Sequence, residues 1–404
     1  MNVVVIGAQW GDEGKGKIVD YLADEAQIVV RYAGGANAGH TIVIGDQQYA
    51  LHLVPSGILY PEKKVYLGMG MVIDPEALFE ELKMLSDRGI KWEGRVFISD
   101  RAHIVLPRYR KMDKERDAAR KRPIGTTGRG IGTTYSMKSE RDGIRLADLE
   151  WEEKLAEFEP EDLEFINKYK DKLLAMRVDI TAEMYKNKNA NVLLEGAQGA
   201  LLDIDTGTYP YVSSGMSCSA GAAVGAGIGP RSLDRVLGVF KAYSTRVGNG
   251  PMPTEFNESD ESESELCRYV RDTGREYGVT TGRARRCGYL DLVALLNEAF
   301  SVLCLSSRPF SSYSRFLCLS DSIFSSSSSR RFLAAANSFF ACSSSFSLIF
   351  RMLCILYLNL AIINLQTIAK AIRLYCQNHI FQSAKNHRHY VESPCAESDD
   401  FWLE

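Results

Sequence analysis

The order of apolar patterns along the chain predicts an α/β fold with a mainly parallel central sheet and helices on both faces. Strand-like runs lie at 2–6, 27–32, 65–67, 95–98, 192–195 and 235–239. Helix-like patterns separate or follow them, notably at 75–88, 161–187 and 289–300. Strands that alternate with helices usually form parallel sheets, because each crossover helix returns the chain to the same edge.

Two charged segments between these elements have simpler interpretations. Residues 151–173 are charged and amphipathic, which predicts a solvated pair of helices. Residues 257–265 read NESDESESE and contain no aromatic side chain, so they predict a surface loop.

Composition favours small ligands over macromolecular partners. A net charge of -3 on 404 residues gives no bulk attraction to nucleic acid or to an anionic membrane. The apolar run at 3–6 has no basic segment before it and is too short for a signal-peptide core, and the nine cysteines lack zinc-ligand spacing. We therefore expect a cytoplasmic protein with reduced thiols, without nucleic-acid or membrane partners.

The most informative single motif follows the first predicted strand. Residues 11–17 read GDEGKGK and fit the phosphate-loop pattern G-x-x-x-x-G-K, in which backbone N–H groups and a helix N-terminus bind phosphate. The usual Ser or Thr that reaches Mg²⁺ is replaced by Ile18. Asp12 could ligate Mg²⁺ in its place or act as a general base. A glycine-rich turn without a ligand is the alternative interpretation.

A second candidate stretch, residues 34–41, reads GGANAGHT. It directly follows a predicted strand, at the position where open α/β sheets bind ligands. A lone histidine is usually structural, but this position favours His40 as a catalytic acid or electrophile.

Three further stretches could bind anions, and each could also be an ordinary loop or turn. Residues 124–135 combine Gly, Thr and Arg after a basic triplet at 120–122, and residues 195–199 read EGAQG. Residues 278–286 read GVTTGRARR, and three arginines beside a flexible glycine suit a dicarboxylate ligand under a closing loop.

Taken together, these stretches resemble the adenylosuccinate synthetase family. The matching segments are QWGDEGKGK, GGANAGHT, IGTTGRGIG, EGAQG, TGTYPYV, TRVGNGPMPTE and GVTTGRARR, and their order makes the resemblance specific over residues 1–298. The family joins IMP and L-aspartate with GTP hydrolysis in purine biosynthesis, as a cytoplasmic homodimer that uses Mg²⁺. The resemblance implies the same substrates, a phosphate-loop-like GTP site, the same ion and the same assembly here.

The resemblance also implies a mechanism and a role for each matching residue. Asp12 would take the N1 proton of IMP while the 6-oxygen attacks the γ-phosphate of GTP, and His40 would stabilise that oxygen as an acid. Aspartate would then displace phosphate from 6-phosphoryl-IMP. The implied Mg²⁺ ligands are Asp12 and the Gly39 carbonyl. The implied GTP contacts are Gly11, Asp12, Glu13, Gly14, Lys15, Gly16, Lys17, Gly39, His40, Thr41 and Arg285.

The two remaining sets of implied contacts concern IMP and aspartate. Those for IMP are Asp12, Glu13, Gly14, Lys15, Asn37, Ala38, Gly39, His40, Thr127, Arg141, Gln198, Ser213 and Arg283. Arg141 would reach the IMP site of the partner subunit. Those for aspartate are Val279, Thr280, Thr281, Gly282, Arg283, Ala284 and Arg285. Ser213 stands where the family usually has Thr, and Thr133 stands where it usually has Pro.

Residues 299–404 differ in composition from the rest of the chain. All 33 glycines precede residue 300, six of the nine cysteines follow it, and the family's guanine-reading T-K-L-D stretch and a later S-T-G-P stretch are absent. The apolar residues 348–369 are interrupted by Arg351 and Asn359, which favours a buried helix over a membrane span. We expect this tail to be frameshifted, inverted or foreign.

The tail leaves two alternatives to an active ligase. One is an inactive, truncated family member that binds IMP or dimerises without turnover. The other is a different phosphate-loop GTPase or ATPase, which would not account for His40 together with Arg283 and Arg285.

Overall fold

The computed structural model describes residues 1–44, 47–278, 282, 284–301 and 314–319. The chain divides into two units, Met1–Ser345 and Phe346–Glu404, and all described residues belong to the first. The expectations for the apolar stretch 348–369, and most of those for the tail, fall outside the described residues.

The elements of the first unit alternate along the chain much as the apolar pattern predicts. The strands are β1 Asn2–Gly7, β2 Ile28–Gly34, β3 His40–Ile44, β4 Gln47–Leu51, β5 Lys64–Ile73, β6 Val96–Ser99, β7 His103–Ile104, β8 Arg177–Val178, β9 Val192–Glu195, β10 Arg235–Lys241, β11 Tyr243–Arg246, β12 Arg286–Tyr289 and β13 Ser314–Leu319. The α-helices are α1 Lys15–Ala23, α2 Pro75–Asp87, α3 Pro107–Ala118, α4 Ile131–Glu140, α5 Glu152–Leu155, α6 Pro160–Ala175, α7 Ile180–Lys186, α8 Ser219–Ala226, α9 Glu261–Thr273 and α10 Leu292–Ser301. Short 3-10 helices lie at Ser56–Leu59, Leu146–Glu150, Ala200–Leu202 and Pro230–Ser232.

The central sheet is parallel, which confirms the predicted fold class. Its strand order is β13-β10-β1-β9-β2-β5-β6-β8, and β7 also pairs with β5. In the middle, Val4 of β1 lies opposite Val236 on one side and Leu194 on the other. Because parallel strands run in one direction, the chain leaves β1, β2 and β9 at the same edge of the sheet.

The apolar runs of the central strands reflect burial on both faces. All seven residues of β2 are buried, and Val4, Val5 and Ile6 of β1 are fully buried. A parallel sheet needs such runs because helices cover both of its faces. This core fixes the edge from which the functional loops project.

The helix-like stretch predicted over 161–187 is not continuous, so this prediction is wrong in part. The helix α6 ends at Ala175, the short strand β8 follows, and α7 starts at Ile180. Asp179 sets the new start, because its side chain accepts hydrogen bonds from the backbone N–H groups of Thr181 and Ala182. The neighbouring pair α5 and α6 is helical as expected but not wholly solvated, since Tyr169 is among its buried side chains.

The acidic surface loop predicted at 257–265 is also wrong in part. Asp260 caps a helix that begins at Glu261, by accepting from the backbone N–H groups of Ser262 and Glu263. Acidic residues in a first turn stabilise the positive end of a helix, so the charge that suggested a loop supports α9. Two small antiparallel sheets, β3 with β4 and β11 with β12, were not anticipated from the sequence. Among the residues described, no helix has the length and apolar character needed to cross a membrane.

Candidate active site

A cavity of about 470 Å³ lies at the edge where β1, β2 and β9 end. The five glycine-rich stretches that stand out in the sequence all contribute to its wall. The lining includes residues from 10–17, 37–41, 124–132, 195–198, 211–214, 246–249, and residues 278 and 285. The parallel topology brings together loops that are separated by up to 275 positions in the chain.

The loop between β1 and α1 has a backbone that few side chains tolerate. Gly11 and Gly14 have φ values of +86° and +85°, and Asp12 adopts φ 59°. Non-glycine residues rarely adopt this left-handed region. Helix α1 starts directly after, at Lys15, so its N-terminal turn with Gly16 and Lys17 contributes to the cavity wall. The N–H groups of such a turn bind anions.

Glu13 lies beneath this loop rather than in the cavity. Its Oε1 accepts hydrogen bonds from the backbone N–H groups of Gln9 at 3.1 Å and Gly11 at 2.9 Å, and Lys15 Nζ donates to its Oε2 at 2.6 Å. A Cβ on Gly7 would lie 2.3 Å from Glu13 Oε2. The buried carboxylate therefore has a specific role that the sequence did not reveal: it fixes the loop from below.

His40 lies beside the N-terminus of α1 and is linked to two polar groups. Its Nε2 is 2.9 Å from Ser56 Oγ and 3.5 Å from Glu195 Oε1, and Glu195 Oε2 accepts from the Ser56 backbone N–H at 2.9 Å. Burial lowers the pKa of His40 to about 4, although Glu195 opposes the shift. The imidazole is therefore neutral near pH 7, and it can donate a hydrogen bond more readily than it can transfer a proton.

Asp12 faces an arginine across the cavity wall. Arg285 Nε lies 2.9 Å from Asp12 Oδ2, and the Asp12 side chain is 33% exposed. The guanidinium also donates from Nη1 to Glu276, a carboxylate with no exposed surface. The cavity thus contains a carboxylate whose position is coupled to a cation.

Only some of the residues that the resemblance assigns to IMP line the cavity. Gln198, Thr127 and Ser213 line the cavity, and Gln198 Nε2 donates to Asn37 Oδ1 at 3.4 Å. Arg141 caps the C-terminus of α4 and is not part of the cavity lining.

The segment assigned to aspartate is described only in part. Val279, Thr280, Thr281 and Arg283 lie outside the described residues. Gly282 and Ala284 are described but do not line the cavity, whereas Arg285 does.

Sequence reasoning missed three polar residues that shape the cavity. Arg31 is buried and lines the cavity, as does Glu195, which was noticed only as part of a turn motif. Arg246 is also buried; it donates to the carbonyl oxygens of Pro251 and Tyr211, both at 2.7 Å. Arg246 lies within TRVGNGPMPTE, so the family motif already contained the signal, but no chemistry was assigned to it.

Oxygen donors in the cavity wall suit a hard cation such as Mg²⁺. Within the part of the chain that the structure describes, no three His, Cys, Asp or Glu side chains cluster as metal ligands do. Mg²⁺ commonly binds through one or two carboxylates, with water and substrate phosphates completing its shell. The Asp12 carboxylate and Gly39, both in the cavity wall, fit that pattern.

A parallel α/β sheet with a phosphate-loop-like turn, a neutral histidine and an arginine-paired aspartate at one edge defines an enzyme of the nucleotide-handling α/β class. Comparison with known proteins makes the assignment narrower. The family model described as adenylosuccinate synthetase matches residues 4–160 and 152–306.

Two curated relatives carry the same name. The adenylosuccinate synthetase of Clostridium novyi is 50% identical over 321 residues, which cover 73% of this chain and 74% of the relative. That of Desulforamulus reducens is 47% identical over 316 residues, 72% of each protein. The chain therefore belongs to the adenylosuccinate synthetase family, whose members are ligases that form a C–N bond.

Solved structures agree with this assignment. The fully ligated adenylosuccinate synthetase of Plasmodium falciparum is 42% identical, with a TM-score of 0.67 and coverage of 73% of both chains. A succinoaminodeoxyadenylate synthetase of cyanophage S-2L has the same fold at 24% identity, with a TM-score of 0.57 over 76% of this chain and 82% of the other. The resemblance seen in the motifs is confirmed, and a different phosphate-loop GTPase is no longer a viable alternative.

Proposed function

We propose that the protein joins IMP and L-aspartate to form adenylosuccinate, with GTP cleaved to GDP and phosphate, in the AMP branch of purine biosynthesis. The single observation that carries this proposal is the convergence of five family motifs on one cavity that contains both Asp12 and His40. The reaction would pass through 6-phosphoryl-IMP. We also propose a cytoplasmic location, as the family resemblance implies.

Asp12 is the proposed general base of the first step. It would accept the N1 proton of IMP as the 6-oxygen forms a bond to the γ-phosphorus of GTP and the bond to the bridging oxygen of GDP breaks. The left-handed backbone at Asp12 supports this role, because strained φ values concentrate at functional positions. The base is also partly exposed to the cavity, where a substrate can reach it.

His40 is the proposed donor to the 6-oxygen as its negative charge develops. The Ser56 hydroxyl can donate to Nε2, which leaves the proton on Nδ1 and free to be donated. Since burial keeps the pKa of the ring near 4, the proposed role is hydrogen bonding by a neutral imidazole. The sequence resemblance implies that His40 acts as an acid, and donation of a hydrogen bond from the neutral ring is the form of that role proposed here.

The loop and the N-terminal turn of α1 are the proposed phosphate site. Backbone N–H groups of Gly14, Gly16 and Lys17 would bind phosphate oxygens. Lys15 would contribute a positive charge that Glu13 partly offsets at 2.6 Å. Asp12 and the Gly39 carbonyl would hold Mg²⁺, which when bound neutralises phosphate charge.

The second step is displacement of phosphate by aspartate. Its amine would form a bond to C6 as the C6–O bond breaks, and phosphate leaves with the electron pair. Among the described residues of the aspartate segment, Arg285 is the proposed partner of a substrate anion, because a guanidinium matches a carboxylate or phosphate in charge and shape. Asn37, Thr127, Gln198 and Ser213 would orient IMP, and Arg141 would act from a second subunit of a homodimer.

The direct test is a product assay. Purified protein is mixed with IMP, L-aspartate, GTP and Mg²⁺, and adenylosuccinate is quantified by chromatography. Product that requires all three substrates supports the proposal. Bound IMP without product would support the inactive alternative, which is favoured by one observation: the family model matches no residue beyond 306 of a 404-residue chain.

A further inference from the structure

Below the cavity wall, a buried glutamate holds Arg285. We propose that Glu276 is a positioning residue that fixes the Arg285 guanidinium, so that Asp12 is its exchangeable partner and is released when a substrate anion takes its place. This rests on the proposed function for the identity of that anion. Neither the motifs nor the implied family contacts include Glu276.

Three donors fix the Glu276 carboxylate. Lys241 Nζ donates to Oε1 at 2.8 Å and the Tyr243 hydroxyl donates to Oε1 at 2.6 Å, while Arg285 Nη1 donates to Oε2. Neither Glu276 nor Lys241 has more than 2% of its side chain exposed. Although burial raises it, the pKa of Glu276 is below its ordinary value because of these cations and hydrogen bonds. The group is therefore a buried, ionised and fully engaged carboxylate.

The backbone adds a second connection between Glu276 and Arg285. The Arg285 N–H donates to the Glu276 carbonyl oxygen at 2.9 Å, and Tyr277 pairs with Ala284 as an antiparallel bridge. The two residues thus face each other across two adjacent chain segments, joined through both main chain and side chain. Such double attachment limits the rotation of the arginine.

The two carboxylates that contact Arg285 differ in accessibility. Asp12 is 33% exposed on a loop that lines the cavity, whereas Glu276 is 0% exposed. An anion that enters the cavity can compete with Asp12 for the guanidinium, but it cannot reach Glu276. Arg285 would therefore keep its anchor and exchange its cavity partner.

This exchange has a chemical consequence. While Arg285 pairs with Asp12, Asp12 Oδ2 lies 2.9 Å from the guanidinium Nε. This ion pair restrains the Asp12 carboxylate from contacting other groups. When a substrate carboxylate or phosphate takes over the cation, Asp12 can accept the proton of its own substrate. The arrangement would couple the arrival of an anionic substrate to the availability of the base.

The test combines a spectroscopic and a kinetic measurement. In ¹⁵N-arginine-labelled protein, the Arg285 Nη1–H signals, which report the contact with Glu276 and are identified with Arg285→Lys, are followed for protection from exchange with water. We expect protection to persist in Asp12→Asn and to be lost in Glu276→Gln, because the amide NH₂ group then replaces the acceptor that faces Nη1. Persistence in Glu276→Gln, or loss only in Asp12→Asn, would overturn the proposal.

The kinetic measurement separates an effect on the position of Arg285 from an effect on the fraction of folded enzyme. In Glu276→Gln we expect KM for aspartate to rise about 10-fold with kcat within about threefold, as for loss of one charge-assisted contact. A lower kcat at unchanged KM would indicate only less folded enzyme and would overturn the proposal. Glu276→Asp, which keeps the charge, should recover part of the KM.

Glu255→Gln is the matched control, because it removes the carboxylate paired with the adjacent Arg286, outside the cavity lining. It should leave both the Arg285 signal and KM unchanged. If Glu276→Gln does not fold, Lys241→Met with Glu276→Gln removes the buried charges together, and the same criteria apply. If wild-type protein makes no adenylosuccinate, the proposed function fails, and the Arg285 signal still decides whether Glu276 is the anchor.

Discussion

Two regions of the cavity wall each place a buried glutamate behind a cation, and they stabilise that glutamate differently. Glu13 in the phosphate loop receives two backbone N–H groups and one lysine. Glu276 beside the aspartate segment instead accepts from side chains: the cations of Lys241 and Arg285 and the hydroxyl of Tyr243.

The difference teaches how each region can respond to ligands. Backbone N–H groups of the phosphate loop hold the Glu13 carboxylate whenever the loop is folded. The loop is therefore preorganised by its own main chain. Glu276 depends on side-chain cations, one of which also contacts Asp12 in the cavity. The first region is a fixed receptor, and the second can redistribute its charge contacts.

The largest expected effect comes from the base itself. Asp12→Asn should lower kcat by about 10³-fold, because general-base catalysis contributes roughly 10²–10⁴-fold. Binding of IMP and GTP, measured by calorimetry, should weaken far less than turnover falls. Residual turnover within tenfold of wild type would remove Asp12 as the base.

The next effect compares the two buried glutamates. Glu276→Gln should reduce the free energy of unfolding by about 3 kcal/mol, because Lys241 is left as an unpaired buried charge. Glu13→Gln should cost only about 1 kcal/mol, since the amide oxygen still accepts from the backbone N–H groups. Urea unfolding at pH 7 measures both. Equal losses in the two variants would contradict the distinction between the regions.

A smaller effect tests the fixed loop alone. A Cβ on Gly199 would lie 2.1 Å from the Gln9 carbonyl oxygen and 2.5 Å from the Gly11 nitrogen. Gly199→Ala should therefore cost about 2 kcal/mol through displaced backbone. Gly229→Ala is the control, because its Cβ would meet only Ser232 Oγ at 3.8 Å. Similar thermal midpoints for both variants would show that the loop adjusts easily.

The smallest expected effect is that the protonation state of His40 does not change near neutral pH. Because burial lowers its pKa from 6.5 to about 4, the ring resonances should hardly change between pH 8 and pH 6. The stability contributed by the neutral ring is complete above pH 6.5 and is lost as pH falls toward 4. NMR titration of the ring checks this, and a midpoint near 6.5 would contradict the neutral-donor role.

The parallel sheet could be predicted from the sequence because its strands are continuous apolar runs. The break between α6 and α7 could not, since it depends on the cap at Asp179 within a pattern that favours helix throughout. Likewise, the cap at Asp260 converts an acidic segment into the start of α9. In both cases a local capping hydrogen bond determines where a helix starts, and composition alone does not indicate that position.

The site residues that stand in glycine-rich motifs could be predicted from the sequence. Those that depend on contacts between distant parts of the chain could not. Asp12 and His40 stand in motifs beside predicted strands. Glu276, the residue proposed to fix Arg285, is held by Lys241, 35 positions earlier, and this contact has no periodic or motif signal. Glu13 lay inside a motif, but its role required knowing that Gly7 and Gly199 leave space for its carboxylate.

The fate of the 6-oxygen of IMP tests the central claim most directly. IMP labelled with ¹⁸O at position 6 is supplied with L-aspartate, GTP and Mg²⁺, and the released phosphate is analysed by mass spectrometry. Passage through 6-phosphoryl-IMP predicts one ¹⁸O atom in each phosphate released with adenylosuccinate. Product formation with unlabelled phosphate, or no product from protein that binds IMP, would contradict the account.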